Sequence, residues 1–243
     1  MAAQQGFQYE QNAADLLKPM GLVPESFKPA GASHDQPDLM LLYKGKEAGC
    51  ELKITAASAG SLVLKYSNKK WSFGDIKESD DEKKFIIDLA NEIKLFDTID
   101  KNWTEVPFKR DKDDLWNATA GKLTQKQRYE RDRDTFKDIK GEIPATKIES
   151  YYNRKKTYYV NVGTHGFYLM GTSNPLGLQG VPTFGQSAKA IYRARVQYKG
   201  SGNYQFTFEM QFSMKSKSPF NIAPVDGKNV NIIKNKLNLS CFI

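Results

Sequence analysis

Residues 34–54 read HDQPDLMLLYKGKEAGCELKI, and they hold the acids and the lysine best placed for shared chemistry: Asp38, Glu51 and Lys53. Asp38 follows Pro37 and opens an apolar run over 39–43. A turn at Lys44-Gly45-Lys46-Glu47 leads to a second short strand carrying Glu51-Leu52-Lys53. Successive strand residues point to opposite faces, so Glu51 and Lys53 share one face and Leu52 takes the other. If the two segments pair as a hairpin, Asp38 at the start of the first strand comes close to Glu51 near the end of the second. Two carboxylates and an ammonium then converge. Two hard oxygen ligands suit Mg2+, which keeps several waters and takes the rest of its shell from substrate phosphate. A lysine beside that ion orients or helps deprotonate an attacking water and offsets phosphate charge. The competing reading of the same residues is a surface hairpin whose acid and lysine are simply solvated.

The elements around this stretch must hold it in place. Residues 7–18 read as a helix, with Phe7, Ala13, Ala14 and Leu17 as its apolar stripe and Pro19 and Gly21 as its stop. Glu10 falls at the edge of that buried face. Residues 22–37 contain Pro24, Pro29, Gly31 and Pro37 and read as a loop into the motif. In that loop Asp35 rivals Asp38 as first ligand, but Asp38 directly precedes the strand that can fix its geometry. His34 reads as a phosphate contact or as an ordinary hydrogen-bonding loop residue.

The arrangement resembles the PD-(D/E)XK nuclease superfamily, the restriction-endonuclease-like fold. The matching residues are Pro37 and Asp38 and, after twelve intervening positions, Glu51, Leu52 and Lys53. The resemblance covers about residues 5–100. It implies that Asp38 and Glu51 are metal ligands and that Lys53 is the catalytic lysine. It implies also that Glu10, as the acid on the first helix, reaches the metal site. The implied fold is α/β: a mixed central sheet flanked by helices, here with a β-rich C-terminal half.

Farther along, small residues at 56–60 suggest a close backbone approach, and Leu62-Val63-Leu64 a short buried element. Lys65, Tyr66, Lys69, Lys70 and Trp71 interleave bases with aromatics, a pattern that suits phosphate contact and base stacking. Residues 80–98 form the clearest helical pattern, capped by Ser79-Asp80-Asp81-Glu82 and striped by Phe85, Ile86, Leu89, Ile93 and Phe96. Dense mixed charge fills 101–142, with a helix expected over 122–140. Strands are expected at 155–162 and 166–170, joined by Gly163-Thr164-His165, and again at 190–198 and 204–214 around a glycine turn at 199–203. On the 190–198 strand Arg193 and Arg195 share a face, a surface for phosphates or base edges. Composition thus divides the chain into a catalytic core at 1–105, a charged helical linker or insertion at 106–145, and a β-rich region at 146–243.

The chain has 243 residues, a net charge of +8, 40% hydrophobic and 26% charged residues. That is ordinary for a globular protein and long enough for a sizeable core. The positive balance favours a polyanionic partner. Cys50 and Cys241 are the only cysteines; they make neither a disulfide framework nor zinc spacing, and they fit a reducing cytoplasm, a host's if the chain is virus-encoded. No signal peptide or membrane span is expected. The expectation is therefore a Mg2+-dependent endonuclease, restriction-like or phage-type, with Mn2+ as a substitute ion. It would act on double-stranded DNA, with pairing of active sites in a homodimer open. The alternative is a non-catalytic nucleic-acid-binding or assembly protein that uses the same positive surface.

Overall fold

Lys44 and Gly45 both take left-handed backbone, with φ of 48° and 74°. That is the two-residue turn whose twist matches paired strands, and it joins β1 (Leu39–Tyr43) to β2 (Lys46–Lys53) in antiparallel register. The turn is tighter than expected, since Lys46 already pairs with Tyr43. These strands belong to a computed structural model that describes residues 2–29, 36–55, 58–74, 81–109, 122–200 and 203–243. Among the described residues the protein is mixed α/β with two sheets.

The chain divides into two compact units that interleave in sequence. One comprises residues 1–57, 144–190 and 212–243; the other comprises 58–143 and 191–211. Composition suggested consecutive blocks instead; it registers neighbours along the chain, whereas β2 finds its strand partner a hundred residues later.

The first unit carries a four-stranded sheet ordered β1-β2-β6-β7, with β6 at Thr157–Val162 and β7 at Gly166–Leu169. β2 and β6 run parallel, and β6 and β7 are antiparallel. Parallel neighbours need a long crossover, and its last part here is helix α5 (Ala145–Arg154). Helix α1 (Ala2–Leu17) buries Tyr9, Ala13, Ala14 and Leu17, which cluster with Leu39, Leu41, Cys50 and Leu52 of the sheet. Each fully buried leucine contributes about 1.5–3 kcal/mol. Phe7, expected in the stripe, is 44% exposed. The buried line runs 9, 13, 17 at four-residue spacing, which leaves Phe7 off the packed side. The tail, from Ile222 to Val225 and again at Cys241, closes this core. It is held by single bridges, Asn221 to Asn238 and Val225 to Ile232, and forms no further strand among the described residues.

The second unit holds a five-stranded sheet ordered β4-β3-β9-β8-β5: β3 (Ser58–Ser67), β4 (Lys70–Phe73), β5 (Ile139–Ile143), β8 (Ala188–Gly200) and β9 (Asn203–Met214). The helix expected over 80–98 is two, α2 (Asp81–Glu92) and α3 (Leu95–Asn102). Lys94 turns left-handed between them at φ 51°, which re-aims Leu95 and Ile99 into the core. Residues 79 and 80 of the expected cap lie outside the described residues. Helix α4 (Gln125–Thr135) is shorter than expected and starts at a capping box between Thr124 and Gln127. A four-residue turn, α6 (Phe184–Ser187), belongs to the first unit.

No helix among the described residues is long and apolar enough to cross a membrane.

Candidate functional site

The β1–β2 register pairs Leu39 with Cys50, so one residue further back Asp38 stands opposite Glu51. Alternation then sends Leu39, Cys50 and Leu52 into the core and leaves Asp38, Glu51 and Lys53 to the other face. Glu51 is buried, at 7% exposure. Lys53 reaches back along its own strand, and its Nζ donates to Glu51 Oε1 at 2.5 Å. Asp38 Oδ2 accepts the backbone N–H of Leu52 at 2.8 Å, which ties the first acid to the strand that carries the second. The sequence-derived trio is thus brought together, through backbone pairing and two charge-assisted hydrogen bonds.

Glu10 joins from α1. Its Oε2 is buried with no hydrogen-bond partner among the described residues. Burial, and then the charges of Asp38 and Glu51, push its carboxyl up to about 8, against a smaller opposing pull from Lys53. Asp38 moves in the same direction, through burial first and Glu51 second; Lys53, the Leu52 N–H and Lys155 pull it back. Burial alone would lower Lys53, but Glu51 and Asp38 together outweigh it and hold the ammonium above its usual range. Lys53 is therefore a cation here, which favours orienting water and meeting phosphate charge over taking a proton.

Two carboxyls that resist ionising beside one another, Glu10 and Asp38, are what a cation relieves. The open oxygens fit a hard divalent ion. Among the described residues no hydrogen bond reaches Asp38 Oδ1, Glu51 Oε2 or either oxygen of Glu10. Asp38 and Glu51 supply two such oxygens, enough for Mg2+ with waters and phosphate in the remaining positions. Among the described residues no group of three or more His, Cys, Asp or Glu side chains is arranged to hold a metal ion. Glu10 is accordingly an electrostatic neighbour of the pair in this arrangement.

The supporting groups were missed in the sequence. Tyr9, next to Glu10, donates to the carbonyl of Ala223 at 2.6 Å, and Asn161 of β6 donates to Tyr9 Oη at 3.2 Å. Asn161 is fully buried, and its Oδ1 accepts the Ile222 N–H at 3.1 Å. This network fixes the turn of α1 that carries Glu10. Helix α5 supplies Tyr152, whose hydroxyl donates to Glu51 Oε1 at 3.3 Å, and at its end Lys155, whose charge Asp38 feels. The sequence did carry a signal for α5: Pro144, then Ala145, Ile148, Tyr151 and Tyr152 at helical spacing.

The residues expected to hold nucleic acid fare differently. Lys69 and Lys70 are exposed where β3 turns into β4, with Asn68 and Lys69 left-handed at 49° and 60°. Lys65 lies on β3 opposite Ser72. Trp71 is no stacking platform: it is 7% exposed and packs its ring on Trp103 and Phe206 at 5.1 and 4.8 Å. Arg193 donates to Asp138 Oδ2 from Nε at 2.8 Å and again from its terminal nitrogen. Arg195 places Nε 2.6 Å from buried Glu209 Oε1, though without hydrogen-bond alignment. Both guanidiniums are thus committed to carboxylates of their own unit. His34 and Asp35 lie outside the described residues. His165 sits in the β6–β7 turn against the Thr164 hydroxyl, at 2.9 Å.

No protein family, curated protein or solved structure matches this chain, so the chemistry of the site has to be read from its own atoms.

Proposed function

We propose that this chain is a metal-dependent deoxyribonuclease of the PD-(D/E)XK kind, a restriction-like or phage-type endonuclease. The meeting of Asp38, Glu51 and Lys53 on one sheet face, with the raised carboxyl of Glu10 beside them, carries the reading. Asp38 and Glu51 would hold Mg2+ through Oδ1 and Oε2, the oxygens that no described hydrogen bond uses. When bound, the ion supplies Lewis-acid stabilisation of charge on the phosphoryl oxygens and eases loss of a proton from water. Lys53, anchored on Glu51 Oε1, presents its ammonium to the attacking water and to the phosphate. Hydrolysis forms one P–O bond from water and breaks the P–O bond to the departing sugar oxygen, which collects a proton. The net charge of +8 supports a polyanionic substrate.

Cleavage of supercoiled plasmid with Mg2+ tests the reading. Asp38→Ala is expected to lower the rate about 100-fold or more, the scale seen when one stabiliser of transition-state charge is lost. An Asp38→Ala protein as active as the wild type would overturn the assignment. DNA binding indifferent to Mg2+ and to loss of Asp38 or Glu51, with no cleavage, would point to a non-catalytic nucleic-acid-binding protein.

A further inference from the structure

Tyr152 is a phenol buried to 1% exposure in the last turn of α5. Among the described residues its hydroxyl has one hydrogen-bond partner, Oε1 of Glu51 at 3.3 Å. The same oxygen takes the Lys53 ammonium at 2.5 Å. Two donors therefore fall on one oxygen of Glu51, while the other carries no described hydrogen bond. A carboxylate held this way has little freedom to rotate about its last torsion, because rotation would break both bonds and strand a buried phenol.

We propose that Tyr152 is a positioning residue of the cation site: by engaging Glu51 Oε1 together with Lys53, it reserves Oε2 for a divalent ion. This inference rests on the nuclease reading above and adds a residue that the E-x-K spacing does not contain. Its position also makes sense of α5. The helix is anchored by Glu149, whose Oε1 accepts the Gly185 N–H at 2.6 Å. Tyr152 lies three residues on, close to one helical turn. The anchor at Glu149 and the contact at Tyr152 thus belong to one rigid segment. Partners that orient a metal's ligands typically control affinity by about 10–100-fold.

The test is calorimetric titration of Mn2+ into the full chain, without DNA, for wild type, Tyr152→Phe and Tyr168→Phe. Phenylalanine keeps the ring and removes the hydroxyl. Tyr168 is the control: its side chain is also buried, and its hydroxyl has the carbonyls of His165 and Ser216 as alternative acceptors, at 2.9 and 2.7 Å. Tyr152→Phe is expected to weaken Mn2+ binding about 10-fold or more. Tyr168→Phe should leave affinity unchanged, even if it lowers the melting temperature more. Equal weakening in both variants would show general loosening of the fold and overturn the inference. So would a Tyr152→Phe protein that binds Mn2+ like the wild type, and this last result would leave the nuclease reading standing. A wild-type chain that takes no Mn2+ would overturn both.

Discussion

Glu10 is a carboxyl whose surroundings oppose its charge, and that has a measurable consequence. Its acid is raised from 4.5 to about 8 by burial and by Asp38 and Glu51. Between those two values the folded chain holds a proton that the unfolded chain has released. Stability from this group is therefore fully present below about 4.5 and falls as pH rises toward about 8. Asp38 shifts the same way and adds to the trend. A divalent ion favours the ionised carboxylates, so its benefit should grow over the same window. At 100 times its dissociation constant an ion adds about 2.7 kcal/mol, or about 5–10 °C in a chain of this size. Thermal melts should show that gain with Mg2+ at pH 8.5, a smaller one at pH 5.5, and a flatter pH profile for Glu10→Gln. An ion effect equal at both pH values would contradict the assignment of these carboxylates.

At the scale of elements, the strand pair β2–β6 is the part that must not move. A methyl group built on Gly49 would lie 2.7 Å from the Lys156 carbonyl, just where the parallel register shifts between Gly49 and Cys50. Backbone cannot yield as a side-chain end can. Gly49→Ala should cost about 1–3 kcal/mol as an overpacking change, read as a lower melting temperature. It should also weaken Mn2+ binding, because Glu51 lies two residues on. A variant as stable as wild type would show that the strands separate easily there. Much at this scale was legible in the sequence. The Lys44-Gly45 turn and the apolar run before it announce the hairpin, and alternation places Glu51 and Lys53 together. The break at Lys94 was not legible, since its helical stripe reads through from Phe85 to Phe96. Helix α5 was overlooked because its two adjacent tyrosines look equally like the Tyr158-Tyr159 pair of the strand that follows.

For the whole molecule, the charge of +8 is less available than the count suggests. Arg193 and Arg195 are paired with Asp138 and Glu209, whereas Lys69 and Lys70 are exposed at a turn. Each phosphate neutralised on duplex DNA contributes about 0.9 to the slope of log affinity against log salt. Replacing Lys69 and Lys70 with alanine should reduce that slope by up to about 2. Arg193→Ala should leave the slope nearly unchanged and lower stability instead, because Asp138 loses its hydrogen-bonded partner and keeps only the more distant Lys140. A steep loss of salt dependence in Arg193→Ala would reverse this assignment of the surface.

Spacing along the chain was enough to bring Asp38, Glu51 and Lys53 to one face, because two-residue periodicity and a tight turn are local properties of strands. Apart from Glu10, which the resemblance already brought to the site, the groups that surround that trio were decided by the tertiary structure. Tyr152 lies 101 residues from Glu51, Asn161 lies 152 from Tyr9, and Ala223 lies 214 from Tyr9. Such contacts come from burial and strand order, which no local pattern encodes. The same cause explains Trp71 and the two arginines: whether an aromatic stacks on a base or on Trp103, and whether a guanidinium meets phosphate or Asp138, depends on which distant segment folds against it.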